Sequence, residues 1–316
     1  MSTQAISSAA PATAGHGLPP GAVAIMLMLC LSWGFNQIAV KLALPDIPPM
    51  LQAMIRSAGA LPVMLIVGRL RGVSFFQRDG TLLPGLCAGL LFGIEFVLIF
   101  TGLVFTSASR AAVFLYTAPF FVALGSHQFL GERLSAMQWS GLGLSFAGVA
   151  LAIGVPQPNV DATVLLGDLM VVGGGALWAA TTLIAKGSGL RKAAPEKALG
   201  YQVALSIPIL GCASWMFGET VTHAPTALSV ALIAYQAIWV VGCTFVIWFA
   251  MVKSYSASKL SAFTFITPLF GVVAAYFIMH DTLTPVFGVA ALLVIVGLYL
   301  VNKPDPKVTP DPNVPA

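Results

Sequence analysis

Apolar residues run along the chain in ten blocks, each about as long as a bilayer-crossing helix and each bounded by Pro, Gly or charge. The blocks cover 21–43, 49–69, 81–102, 107–129, 135–155, 165–186, 196–216, 229–252, 257–279 and 284–302. A helix needs roughly 20 residues to cross about 30 Å of hydrocarbon while satisfying its own backbone. The pattern therefore predicts an all-α membrane protein with ten transmembrane helices, a bundle rather than a barrel.

The blocks repeat. Ser107-Ala108-Ser109-Arg110, followed by Pro119 and Glu132, returns 149 residues later as Ser256-Ala257-Ser258-Lys259, Pro268 and Asp281. Trp33 and Lys41 match Trp178 and Lys186 at a shift of 145, and Pro49 and Pro62 match Pro195 and Pro208 at a shift of 146. A nearly constant shift through successive spans implies two homologous halves of five helices each. Because five is odd, the second half enters the membrane from the opposite side, so the repeat is inverted. The expected organisation is a first repeat at 21–155, an extracytoplasmic linker at 156–164 and a second repeat at 165–302. Residues 1–20 and 303–316, rich in Pro and small residues, are expected to be disordered cytoplasmic ends.

Composition excludes a water-soluble domain of this size: 58% of residues are hydrophobic, 8% are charged and the mean hydropathy is +0.92. The net charge of +4 needs no nucleic acid to explain it, because basic residues in a polytopic protein set its orientation. With a cytoplasmic amino terminus, twelve of the fifteen Lys and Arg residues fall on the inner side, which predicts that both termini are cytoplasmic. Cys30, Cys87, Cys212 and Cys243 lie within spans without metal-ligand spacing and are expected to be small packing residues. No HExxH, GxSxG or clustered Asp/His set is present, so neither an enzyme nor a metal or cofactor site is expected. Gly85, Gly89 and Gly93, and Gly141, Ser145 and Gly148, are spaced for close helix contact. The run Gly173-Gly174-Gly175 is expected to let the sixth span bend beside a cavity.

From Phe100 to Ser135 the chain reads IFTGLVFTSASRAAVFLYTAPFFVALGSHQFLGERLS from Ile99 onward. This stretch resembles the EamA-type members of the drug/metabolite transporter superfamily. The resemblance rests on the aromatic and small-residue exit from the third span (Phe100 to Phe105), the Ser/Ala-rich entry to the fourth (Ser107 to Ala112), Pro119, and Gly131-Glu132-Arg133. Trp33-Gly34, Arg56, Gly167-Asp168 and Trp178 look like further family positions, and the likeness extends over about residues 21 to 302. The second half departs from it, with His280-Asp281-Thr282 where the first has Gly131-Glu132-Arg133. The resemblance implies a multi-pass transporter of the bacterial inner membrane that moves small metabolites by alternating access. Its ten-span plan is most similar to YddG-type exporters, which implies amino-acid export. Efflux of lipophilic or cationic compounds is the alternative.

In such a plan the substrate sits near the midplane, between the repeats. Trp33 and Trp178 lie near the middles of their spans rather than at the headgroups, so they either line a cavity or pack between helices. Trp239 and Trp248 on the eighth span and Tyr116 on the fourth extend the same candidate wall. Asn36, Gln37, Thr181, Thr182, Gln236, Thr244 and Thr264 are its polar complement, or else bond neighbouring helices. Arg56 and Glu95 are charges within the bilayer, which need a partner or water. They either compensate each other, or Glu95 faces the cavity to bind an ammonium or a proton. Pro119 and Pro268 predict a kink at equivalent places in spans four and nine, either a hinge for gating or a fixed bend. The partners expected are a small-molecule substrate and the lipid bilayer, and homo-oligomerisation is left open.

Overall fold

Proline is the first or second residue of six helices, at Pro20, Pro49, Pro119, Pro195, Pro268 and Pro285. There its fixed φ suits the helix and its missing N–H would have had no helical acceptor. The computed structural model describes residues 18–154, 161–280 and 285–303. Most of the expected linker, Asp281 and nearly all of both tails lie outside them.

In chain order the described helices are α1 (Pro20–Ala43), α2 (Pro49–Leu70), α3 (Leu82–Phe105), α4 (Ala108–Leu115), α5 (Ala118–Phe129) and α6 (Ala136–Ile153). The second half contains α7 (Ala162–Gly187), α8 (Pro195–Met216), α9 (Ala227–Ala234), α10 (Phe245–Ser254), α11 (Ala257–Phe263), α12 (Thr267–Met279) and α13 (Pro285–Asn302). Among the described residues nine helical runs are long and apolar enough to cross a membrane, with α9–α10 and α11–α12 each counting as one. The tenth crossing is α4 and α5 in series, interrupted at Tyr116 and Thr117. The fold is all-α, ten crossings in two inverted repeats of five.

Two spans depart from the expected regular helix. The eighth contains a π-helical stretch of 10 residues, Tyr235–Thr244, between α9 and α10; its i→i+5 bonding widens the helix and rotates the side chains beyond it. The sixth, α7, is continuous through Gly173-Gly174-Gly175. These glycines admit close neighbours. A Cβ on Gly174 would sit 2.6 Å from Ile99 of α3, and one on Gly175 would sit 3.1 Å from the Leu115 carbonyl at the end of α4.

Backbone contact holds the bundle, as expected in lipid, where apolar surface alone gives helices little reason to associate. On α6 and α13, a Cβ on Gly141 would lie 2.6 Å from the Gly297 carbonyl, and one on Gly148 would lie 2.7 Å from the Ala290 carbonyl. Gly85, Gly89 and Gly93 of α3 receive Tyr201, Leu205 and Ile209 of α8 in the same way. The cysteines divide: Cys30 is buried and donates to the Phe263 carbonyl at 3.3 Å, while Cys87 and Cys212 are exposed on the outside of the bundle. The packing role expected for all four therefore fails for those two, which face outward from α3 and α8.

Polar side chains tie the repeats at both faces. Glu219, in the second repeat, accepts from the Met50 and Leu51 amides at 3.2 and 2.8 Å. It thereby caps α2, whose own cap residue is a proline with no side-chain bond. Conversely Asp46, in the first repeat, accepts from the Thr226 amide and hydroxyl at 2.7 and 2.6 Å at the start of α9. These bonds hold its carboxyl down at about 2. On the opposite face, Glu196 pairs with Arg71 at 2.7 Å and Lys197 with Asp79 at 2.8 Å. Lys197 and Thr81 hold Asp79 at about 2, so that carboxyl is ionised throughout the physiological range. Gln138 at the start of α6 reaches the Lys303 carbonyl at 3.1 Å, which puts the loop after α5 on the face where the chain also leaves the bundle, the terminal face.

Candidate functional site

The motif that repeats most clearly in the sequence proves to be a helix cap used twice. Ser107 accepts from the Arg110 amide at 3.3 Å to start α4, and Ser256 accepts from the Lys259 amide at 3.3 Å to start α11. Each of these short helices stops partway along its crossing. Thr117 donates to the Phe114 carbonyl at 2.6 Å in one break, and Thr264 donates to the Ser261 carbonyl at 2.6 Å in the other. Pro119 and Pro268 then stand in the first turns of α5 and α12. The kink expected at each proline is thus a break just before it, because the ring cannot accept a continuing helix through the preceding turn.

Between the repeats lies a cavity of about 200 Å³. Both broken helices border it, through Leu115, Tyr116, Ala118 and Pro119 on one side and Thr264 and Thr267 on the other. Its apolar wall is an unbroken run of six rings. Phe96 meets Phe92 at 5.1 Å, Phe92 meets Phe245 at 6.3 Å and Phe245 meets Trp33 at 6.0 Å. Trp33 meets Trp248 edge-on at 5.7 Å, and Trp248 stacks on Trp178 at 5.5 Å with 24° between planes. Trp33 and Trp178, equivalent by sequence, therefore flank the same Trp248.

The polar lining contains Asn36, Gln37, Arg56, Glu95, Thr181, Thr182 and Gln202. Arg56 is 6% exposed and Glu95 4% exposed. No ion pair joins them among the described residues; the Arg56 guanidinium lies over the Phe96 ring, 4.4 Å from its centroid. Asn36 Oδ1, Arg56 Nε, Glu95 Oε2 and both amide atoms of Gln202 are buried without a hydrogen-bond partner. Gln202 was not singled out in the sequence. The 146-residue shift that relates Pro49 to Pro195 also relates Arg56 to Gln202, and this was the signal that could have found it.

Of the residues expected at the cavity, Trp33, Asn36, Glu95, Tyr116, Trp178, Thr182, Trp248 and Thr264 border it, whereas Trp239 and Thr244 do not. Trp239 is 39% exposed on the outside of the bundle, and its indole donates to Ser32 at 3.1 Å. The π stretch turns it away from the rings that follow. Thr244 is fully buried behind Trp33, whose indole it accepts at 2.9 Å. Gln236 is likewise buried between helices, where it bonds Gln52 at 3.4 Å.

On the terminal side of this region Glu132 joins the two repeats. α7 runs from Trp178 toward that face, and Lys186, about 12 Å farther along the helix, donates to Glu132 and to the Tyr255 carbonyl. Glu132 also accepts from the Ser256 hydroxyl at 2.8 Å, the Ala257 and Ser258 amides at 3.1 and 3.2 Å, and the Ser258 hydroxyl at 3.1 Å. One carboxylate from the first repeat thus serves the amino end of α11 in the second. Burial would raise the Glu132 carboxyl, but the Lys186 ammonium and the donors of Ser256 and Ser258 outweigh it and hold it below the usual range. At the other face Arg110 makes a bidentate pair with Asp168, which also accepts from Thr106 at 2.6 Å.

Comparison with known proteins agrees with this architecture. The model of the EamA-like transporter family matches residues 20–154 and 165–303, one match in each half. The chain is 26% identical over 291 residues to "uncharacterized transporter YoaV" of Bacillus subtilis, covering 87% of this chain and 94% of that one. It is 26% and 25% identical to proteins named "probable amino-acid metabolite efflux pump" from Salmonella typhimurium and Escherichia coli, each alignment covering 87% of this chain and 93% of the relative. A solved crystal structure superposes with a TM-score of 0.76 at 18% identity, covering 89% of this chain and 98% of that one, and so shares the fold. With ten crossings in two halves, each matched by the same family model, the chain belongs to the EamA-like transporter family of the drug/metabolite transporter superfamily.

Proposed function

We propose that the protein exports amino acids or closely related metabolites from the bacterial cytoplasm by alternating access, with both termini cytoplasmic in the inner membrane. The observation that carries this reading is the cavity at the seam of the repeats. Its six-ring wall offers apolar contact area, and its buried, unpartnered polar atoms match a small solute with an apolar side chain and a polar head. The two relatives named as amino-acid metabolite efflux pumps support the substrate class. Efflux of lipophilic cations, the other reading, draws on the same aromatic wall. Counterflow in proteoliposomes with a panel of amino acids and organic cations tests the two together. Saturable exchange of amino acids is expected, and exchange of cations alone would overturn the reading.

The paired breaks supply the motion. α5 and α12 start at Thr117-Ala118 and Ile266-Thr267, so each half-helix can swing about its break to open one face while the other stays shut. Pro119→Ala and Pro268→Ala restore an amide donor at each break and favour a continuous helix. Each is expected to slow exchange about tenfold or more while leaving equilibrium binding of the substrate within a few-fold, an estimate from the ~3 kcal/mol difference between Pro and Ala in a helix. Normal turnover in both variants would identify the breaks as fixed bends.

A further inference from the structure

Resting on the amino-acid reading above, we infer that Arg56, Glu95 and Gln202 form the subsite that distinguishes an amino acid with both charged groups free from its singly charged derivatives. Arg56 is on α2, Glu95 on α3 and Gln202 on α8, and these three helices pack together. The guanidinium stacked on Phe96, the residue next to Glu95, brings the two ionisable groups to one end of the aromatic wall. Each is more than nine-tenths buried, each borders the cavity and each keeps an atom without a partner: Arg56 Nε as donor, Glu95 Oε2 as acceptor. Gln202, 1% exposed, keeps both its acceptor and its donor unpartnered on the same cavity.

The charge balance selects the ligand. Arg56 and Glu95 attract each other across the site but make no ion-pair contact, so each buried group keeps room for a closely bonded opposite charge of its own. A lone organic cation would satisfy Glu95 and leave Arg56 unpaired, and a lone anion would do the reverse. An α-amino acid satisfies both: its carboxylate accepts from Arg56, its ammonium donates to Glu95 and Gln202 bonds whichever valences remain. Its side chain then extends along the rings toward Trp33 and Trp248. The second repeat could not do this alone, because the positions equivalent to Arg56 and Glu95 under the 146- and 149-residue shifts are the uncharged Gln202 and Thr244.

The test uses the full chain in proteoliposomes. The twenty common L-amino acids are screened by counterflow, and the fastest is competed with its methyl ester, which lacks the carboxylate, and its N-acetyl form, which lacks the ammonium. Both derivatives are expected to compete at least about tenfold more weakly, because each leaves one buried group unpaired. Arg56→Gln should weaken the amino acid to the level of its ester without changing the ester, and Glu95→Gln should weaken it to the level of the N-acetyl form without changing that form. Arg56→Lys, which keeps the charge, should recover part of the loss. The wild-type competition needs no variant, so a misfolded variant leaves the outcome decided. Derivatives that compete as well as the parent overturn this inference and leave amino-acid export standing. Failure of every amino acid to exchange overturns both.

Discussion

Gly297→Leu is expected to prevent stable assembly of the bundle. A Cβ at this position would lie 2.3 Å from the Ser145 hydroxyl, 2.5 Å from the Gly141 carbonyl and 2.6 Å from the Ser145 amide. Two of these three atoms are backbone, so no rotamer change makes room; α6 and α13 must separate. That separation would also stretch the 3.4 Å bond from Ser145 to the Val294 carbonyl and the seat of Gly148 against Ala290. Overpacking a well-packed interior costs about 1–3 kcal/mol, and more where backbone must move. In lipid nothing offsets the loss, because close packing is itself the attraction. The measurement is thermal unfolding in detergent followed by size-exclusion chromatography, with a fall of at least several degrees and a loss of the monodisperse peak expected. Gly143→Leu, at an α6 position where a Cβ meets nothing, is the control and should behave as wild type. Equal behaviour of the two variants would show that α6 and α13 are not held by backbone contact.

Glu132→Gln is expected to open the terminal face. The carboxylate receives one ammonium, two hydroxyl and two amide donors. A glutamine of the same size keeps one acceptor oxygen, loses the charge and turns an NH₂ toward other donors. Hydrogen bonds to a charged group contribute about 1.5–3 kcal/mol each, so losing one or two shifts a two-state equilibrium at least about tenfold. With Thr182→Cys as a reporter on the cavity wall, in a background lacking the four native cysteines, labelling by an impermeant thiol reagent from the terminal side should accelerate about tenfold or more. An unchanged rate would remove Glu132 from the closure. Because the folded-state carboxyl is held below its ordinary value, its contribution is complete at neutral pH. It is lost only as pH falls through that lowered value, so mild acidification should not imitate the variant.

The halves of this molecule can be read directly from its residues. Span lengths follow from the thickness of hydrocarbon, and the shifted echoes of Trp33, Pro49 and Ser107 mark the duplication before any coordinate is known. The odd number of spans per half then dictates inversion. The charges at Arg56 and Glu95 stand out for the same reason: lipid makes them costly, so their presence demands an explanation. Pro119 and Pro268 mark broken helices through local chemistry, but Pro62 and Pro208 stand inside the continuous α2 and α8, so proline by itself does not tell a break from an unbroken span.

What the residues alone do not reveal depends on contacts between distant segments. Trp239 and Trp248 look equivalent on one apolar span, yet the π stretch between α9 and α10 turns one outward and seats the other among the rings, and backbone hydrogen-bond register carries no side-chain signature. Glu132 and Ser256 are 124 residues apart, each a plausible helix-end residue in isolation, and only the folded bundle makes one the cap of the other. Gln202 carries no mark of its own in the sequence, and only its place on one cavity with Arg56 and Glu95 gives its two unpartnered atoms a meaning. Solvent and periodicity therefore determined the number, length and pairing of the spans, since every span meets the same hydrocarbon. The tertiary structure decided which faces enclose the cavity, because in lipid that choice rests on close contact and on the pairing of a few polar atoms, which no single span contains.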